Sequence, residues 1–203
     1  MITLYTLKPA FQRRLRPIAC WLHGRGISAN QVTVAALLLA VVTAGALALG
    51  PLPALLWLLP PVLLIRMALN ALDGMLAREF QQTTALGAVL NELGDVLADA
   101  LLYLPLLWVS EMPTMPVVAL VWLALLSEFC GVVAVQIGAH RRYDGPMGKS
   151  DRALLLGGIA VLLGSGVPVG VWLTVVLWVA NALLAWTALN RLRAALREVA
   201  ACP

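Results

Sequence analysis

Charge is what this sequence has least of. Only 12% of its 203 residues are Asp, Glu, Lys or Arg, about half the share found in a typical soluble chain. Hydrophobic residues make up 62%, and the mean hydropathy is +0.91. Such a chain has too little polar surface to cover itself in water. That excludes a cytosolic globular enzyme, a disordered tail and a basic nucleic-acid-binding domain, and it makes lipid the solvent. Cysteine is scarce as well. Cys20, Cys130 and Cys202 are odd in number and far apart, which excludes a disulfide framework and a Cys-x-x-Cys zinc pattern and leaves free thiols.

Apolar stretches fill the space that charge leaves. Six of them, at 31–50, 54–77, 91–110, 116–138, 153–169 and 171–190, approach the roughly 20 residues that cross a bilayer core. Gly50-Pro51-Leu52-Pro53, Met112-Pro113-Thr114-Met115-Pro116 and Gly164-Ser165-Gly166-Val167-Pro168 punctuate them. The 31–48 run is no cleaved leader, because about 30 residues precede it and five spans follow. Thirteen of the fourteen Lys and Arg residues fall on one side of a six-span topology, and the three opposite connections contain none. The positive-inside rule then puts both termini in the cytoplasm of an inner-membrane, multi-pass protein. The expected fold is all-α: a single domain over 1–203, with an interfacial segment 1–30, a six-helix bundle 31–190 and a cytoplasmic tail 191–203. In residues 4–22, Leu4, Leu7, Phe11, Leu15, Ile18, Trp21 and Leu22 alternate with Lys8, Arg13, Arg14 and Arg16, as in an amphipathic helix on an anionic leaflet. Pro9 and Pro17 argue against one unbroken helix.

Ionisable residues inside membrane spans are costly and mark functional sites by default. Here they gather in one place. On the second span, Arg66, Asn70, Asp73, Gly74 and Ala77 share a helical face; on the third, Asn91, Glu92, Asp95 and Asp99 do so. Antiparallel neighbours would bring these faces together near the cytoplasmic end. Carboxylates and carboxamides converging there form a hard oxygen set suited to Mg²⁺, Mn²⁺ or Ca²⁺ rather than zinc. Arg66 lies about 18 Å inward of Arg78 by helical rise, at a depth where it can instead pair with Asp99 or Glu128 and brace the bundle. Gly74, Ala77 and Gly87 suit either close backbone approach to a ligand or tight helix packing.

These residues resemble the signature of the CDP-alcohol phosphotransferase family, Asp-x-x-Asp-Gly-x-x-Ala-Arg, eight residues, then Gly-x-x-x-Asp-x-x-x-Asp. The chain reads Asn70-x-x-Asp73-Gly74-x-x-Ala77-Arg78, eight residues, then Gly87-x-x-x-Asn91-x-x-x-Asp95. Every position matches except the first and third aspartates. Asn30 and Thr33, opening the first span, look like the family's Pro-Asn-x-x-Thr entry with Ala29 in place of proline, and Gly148-Lys149 looks like its Gly-Lys element.

The resemblance implies transfer of a phosphatidyl unit from CDP-diacylglycerol, or a related CDP-alcohol, to a polar alcohol with release of CMP. It implies one or two Mg²⁺ or Mn²⁺ ions and a homodimer. Asp73 would ligate metal and Asp95 would be both ligand and general base. Asn70 and Asn91 would be weaker ligands, with Asp99 or Glu92 compensating. Asn30, Thr33, Gly74, Ala77, Arg78 and Gly87 would border the nucleotide. Arg141, Arg142, Lys149 and Arg152 suit the phosphate of an acceptor such as glycerol 3-phosphate, or else serve topology and touch lipid headgroups. Two rivals stand beside this reading. One is a catalytically silent CDP-lipid-binding protein, since two aspartates are missing. The other is a small cation transporter, which should spread acidic residues through both leaflets, whereas the outer connections carry only Glu111.

Overall fold

The computed structural model describes residues 8–49 and 52–201, without the side chains of Lys8, Leu52 and Pro53. Leu4 and Leu7, the Gly50-Pro51 break and Cys202 lie outside the described residues. Helices dominate: α1 (Lys8–Gly24), α2 (Ala29–Leu49), α3 (Leu52–Leu55), α4 (Leu59–Glu79), α5 (Ala85–Tyr103), α6 (Thr114–Gln136), α7 (Lys149–Gly164) and α8 (Val171–Ala201). Short 3₁₀ turns, Leu56–Leu58 and Leu104–Trp108, precede α4 and follow α5.

Local chemistry sets several boundaries. Ser28 and Gln31 cap the start of α2 reciprocally: the Gln31 amide donates to Ser28 Oγ (3.3 Å) and the Ser28 amide to Gln31 Oε1 (2.8 Å). Thr84 caps α5 by accepting from the Gly87 amide at 2.9 Å. Pro60 and Pro61 lie in the first turn of α4, where a missing N–H costs nothing. At the end of α6, Gly138 takes φ +89° and turns the chain into the 137–148 loop.

The expected amphipathic segment is one helix, α1, with Pro17 inside it. Leu15 and Ala19 pack on Leu72, Met75 and Leu76 of α4, while Ile18 and Trp21 are exposed. Six longer helices follow, matching the six apolar stretches with shifted ends. The third begins at Ala85 rather than 91, because Thr84 caps it. The last shows no break at 190 and runs on to Ala201. Among the described residues, four segments are long and apolar enough to cross a membrane: Ala29–Leu49, Leu56–Glu79, Thr114–Gln136 and Val171–Ala201. α5 is rich in acidic residues, and α7, at 16 residues, is about 24 Å long against a hydrocarbon core of about 30 Å.

Helix packing forms two groups. α2 packs on both α4 and α5, with α1 and α7 also on α4; α6 and α8 pack chiefly on each other. α4 and α5 thus touch α2 far more than each other, and polar side chains line and bridge the interval, or cleft, between their facing sides.

Candidate active site

Asp73 faces inward from α4 and is only 4% exposed. Its Oδ2 accepts a hydrogen bond from Thr33 Oγ1 of α2 at 2.8 Å. Across the cleft on α5 stands Asp95, whose charge Asp73 feels together with that of Lys149. Asn70, one turn before Asp73, donates from Nδ2 to Asp95 Oδ1 at 3.0 Å and so bridges the two helices. Lys149, at the start of α7, forms an ion pair with the same oxygen, and Arg66 reaches it at 4.0 Å. Asn91 is half-buried one turn before Asp95. The geometry therefore brings Asn70, Asp73 and Asp95 together. Among the described residues, no three His, Cys, Asp or Glu side chains converge as a metal site.

The residues expected to border a nucleotide form two small groups at the same end. Asn30 Nδ2 reaches Thr84 Oγ1 at 3.3 Å. A Cβ on Gly87 would stand 2.5 Å from Asn30 Oδ1 and 2.9 Å from Thr84 Oγ1, so a side chain there would expel Asn30. The guanidinium of Arg78 folds back over Gly74, where a Cβ would meet Nη2 at 2.8 Å. A side chain at either position would displace a neighbouring protein side chain, Arg78 at Gly74 and Asn30 or Thr84 at Gly87. Ala77 is half-buried on the same stretch of α4. Thr84 was not among the expected residues; a threonine directly before an apolar helix was the signal for it.

Below the cleft runs a chain of buried ion pairs. Arg66 Nη1 of α4 meets Asp99 Oδ1 of α5 at 3.3 Å, and Asp99 Oδ2 meets Arg152 Nη2 of α7 at 2.8 Å. The same Arg152 nitrogen reaches Glu128 Oε1 of α6 at 3.1 Å, and Glu128 Oε2 meets Arg191 Nη1 of α8 at 3.3 Å. Arg152 and Arg191 are 1% and 2% exposed. One polar thread thus ties five helices from both packing groups together. Asp99, expected to compensate for a missing metal ligand, gives both oxygens to arginines instead. The pairing of Arg66 with Asp99, weighed from helical depth, is present. Arg191, read as part of a cytoplasmic tail, is buried because α8 continues past it.

The four expected acceptor-binding cations all have carboxylate partners. Arg141 grips Glu92 through Nε and Nη2 at 2.9 and 2.7 Å and reaches Glu128 Oε2 at 3.2 Å. Its guanidinium occupies the space that a Gly131 side chain would fill. Burial works against the Arg141 charge, yet the bonds from Glu92 hold it above the usual arginine range. Arg142 pairs with Asp144 and Glu198, both at 2.8 Å; hydrogen bonding to Asp144 raises it similarly. Glu92, the other expected compensating ligand, is thereby held by Arg141.

An all-helical bundle thus sets Asn70, Asp73 and Asp95 between two helices, with Gly74 and Arg78 on the same helix as Asp73. The chain belongs to the CDP-alcohol phosphatidyltransferase family, whose model matches residues 27–187. It is 50% identical over 198 residues to the inner membrane protein YnbA of Escherichia coli, covering 96% of this chain and 97% of that protein. It is 29% identical over 197 residues to a phosphatidylinositol phosphate synthase of Mycolicibacterium smegmatis, covering 92% and 86% of the two chains. Crystal structures of the Mycobacterium tuberculosis phosphatidylinositol phosphate synthase share the fold. The one with CDP-DAG bound has a TM-score of 0.71 at 24% identity, covering 92% of this chain and 94% of that one. The one with manganese and citrate has a TM-score of 0.72, covering 92% and 91%.

Proposed function

We propose that this chain transfers the phosphatidyl group of CDP-diacylglycerol to the hydroxyl of a small polar alcohol and releases CMP. The carrying observation is the link between the two helices: Asn70, one turn before Asp73 on α4, donates to Asp95 of α5, while Asp73 is held by Thr33 of α2. Asn30, Thr33, Gly74, Ala77, Arg78 and Gly87 border the cytidine diphosphate. Arg78, against Gly74, is the cation for its phosphates. Asp95 accepts the proton of the acceptor hydroxyl as that oxygen attacks the phosphatidyl phosphorus and the bond to the CMP oxygen breaks. Asn70 and Lys149 fix the orientation of the Asp95 carboxylate for this step.

The donor set suits one hard divalent ion, Mg²⁺ or Mn²⁺. Two carboxylates neutralise its charge, and the carboxamide oxygens of Asn70 and Asn91 belong to the same ligand class. A second ion would lack its counter-charge, since Asp99 and Glu92 are held by arginines. When bound, such an ion supplies positive charge against the diphosphate and the departing CMP.

In our reading the bundle crosses the inner membrane six times with both termini and the cleft on the cytoplasmic side, and it forms a homodimer as the family resemblance implies. α1 lies on the inner leaflet, with Ile18 and Trp21 toward lipid. The gap between α4 and α5 lets the donor's acyl chains leave sideways into the bilayer.

A second reading is a CDP-lipid-binding protein without turnover. It is favoured by the double engagement of Asp95 by Lys149 and Asn70. Labelled CDP-diacylglycerol with detergent-purified protein and Mn²⁺ separates the two. The transferase releases CMP when an acceptor alcohol is present, and Asp95→Asn lowers that rate by about 10²-fold or more. Donor binding without CMP release across a broad acceptor panel establishes the second reading.

A further inference from the structure

Cations near a phosphoryl-transfer cleft are expected to hold an anionic acceptor, yet here the candidates on the acceptor side already have carboxylates. Arg66, Arg141, Lys149, Arg152 and Arg191 share Glu92, Asp95, Asp99 and Glu128 in ion pairs. Arg142, on the loop above, is likewise committed to Asp144 and Glu198. The arginine forks on this side are therefore filled by the protein's own carboxylates before any substrate arrives. We infer that the acceptor alcohol carries no phosphate; this rests on the transferase reading above.

A phosphate monoester would bring about 1.5 to 2 further negative charges to arginines whose forks are filled. Seating it requires breaking the two-bond grip of Arg141 on Glu92 and leaving that carboxylate unpaired beside the new anion. The loop's basic character, Arg141-Arg142 and Lys149-Ser-Asp-Arg152, is visible in the sequence. Its neutralisation is not, because Glu92, Glu128 and Glu198 come from three other helices.

The test is binding of glycerol 3-phosphate, with glycerol as the uncharged control, to full-length detergent-purified protein holding CDP-diacylglycerol and Mn²⁺. Isothermal calorimetry should show no saturable glycerol 3-phosphate binding to the wild type at millimolar concentrations. Glu92→Gln, at a half-buried position, should gain at least tenfold in affinity because Arg141 is partly freed. Saturable binding to the wild type overturns the inference, as does the absence of a gain in a Glu92→Gln protein that unfolds at the wild-type temperature. In turnover, CMP release stimulated more by an unphosphorylated alcohol than by its phosphate ester supports the inference, and the reverse order overturns it. Donor binding and CMP release, read on the same samples, report on the transferase reading separately. A protein that releases CMP but prefers a phosphorylated acceptor fails only the present inference.

Discussion

Asn70 shows how one atom changes the electrostatics of the cleft. As an amide it donates to Asp95; as the aspartate found in the family signature it would face Asp95 as a like charge. Without metal, the Asn70→Asp protein should therefore unfold at a lower temperature than wild type, because a hydrogen bond becomes a repulsion. With Mn²⁺ the order should reverse, since a third carboxylate adds to the ligand charge. We expect Mn²⁺ affinity to rise about tenfold, roughly 1.4 kcal/mol, in calorimetric titration. Equal Mn²⁺ affinities in the two proteins would place the ion away from this residue. The residue scale is also where the sequence was most legible. Asp73, Asp95 and Asn70 could be assigned to facing helical surfaces from spacing alone, because period 3.6 and a short loop leave few other arrangements. The pairing of Asp99 with Arg66 was legible from helical depth, but the hold of Arg152 on Asp99 and of Arg141 on Glu92 was not. Arg152 and Arg141 lie more than 45 positions away, and nothing local distinguishes a carboxylate that awaits a metal from one already held by an arginine.

Among the helices, the thread from Arg66 through Asp99, Arg152 and Glu128 to Arg191 joins α4, α5, α7, α6 and α8. α6 and α8 pack mostly on one another, and the thread adds polar ties to the apolar core they share with the other helices. Arg152 is the link with a carboxylate on each side. Arg152→Ala leaves Asp99 and Glu128 each with one counter-ion fewer, though Asp99 stays paired to Arg66 and Glu128 to Arg191 and Arg141. The loss should therefore approach but not exceed the roughly 3–5 kcal/mol of a buried pair stripped of one partner. Thermal unfolding in detergent should show that loss. Arg16→Ala, at the exposed pair with Glu79, should change the same measurement by less than about 1 kcal/mol. Comparable losses from both would mean that the thread does not brace the helices. Helix existence was legible from apolar run length, but helix ends were less so. The Thr84 cap moved the start of α5 back by six residues. Arg191, which ends the apolar run, does not end α8, because an arginine with a buried carboxylate within reach can stay inside.

At the scale of the whole molecule, the short α7 decides how often the bundle crosses the bilayer. Thirteen of fourteen cations lie on one side only if α7 crosses. The tryptophans argue for crossing. Trp57 precedes α4, Trp108 follows α5 and Trp172 begins α8, and in the six-span arrangement all three gather at the end whose connections lack Lys and Arg, as an interfacial belt should. Trp57 also donates from Nε1 to the carbonyl of Gly164 at 3.1 Å, which fastens the far end of α7 to that belt. A helix of about 24 Å can then span where the bilayer thins or where flanking residues reach the interface. Single cysteines introduced into a background lacking Cys20, Cys130 and Cys202 decide the matter. Glu111→Cys and Val167→Cys should react with an impermeant maleimide in intact cells, and His140→Cys only after permeabilisation. If α7 merely dips into the inner leaflet, Val167→Cys will behave like His140→Cys. The cation-free connection at 165–170 would then lie on the same side as the basic loops, and charge segregation would no longer count the spans.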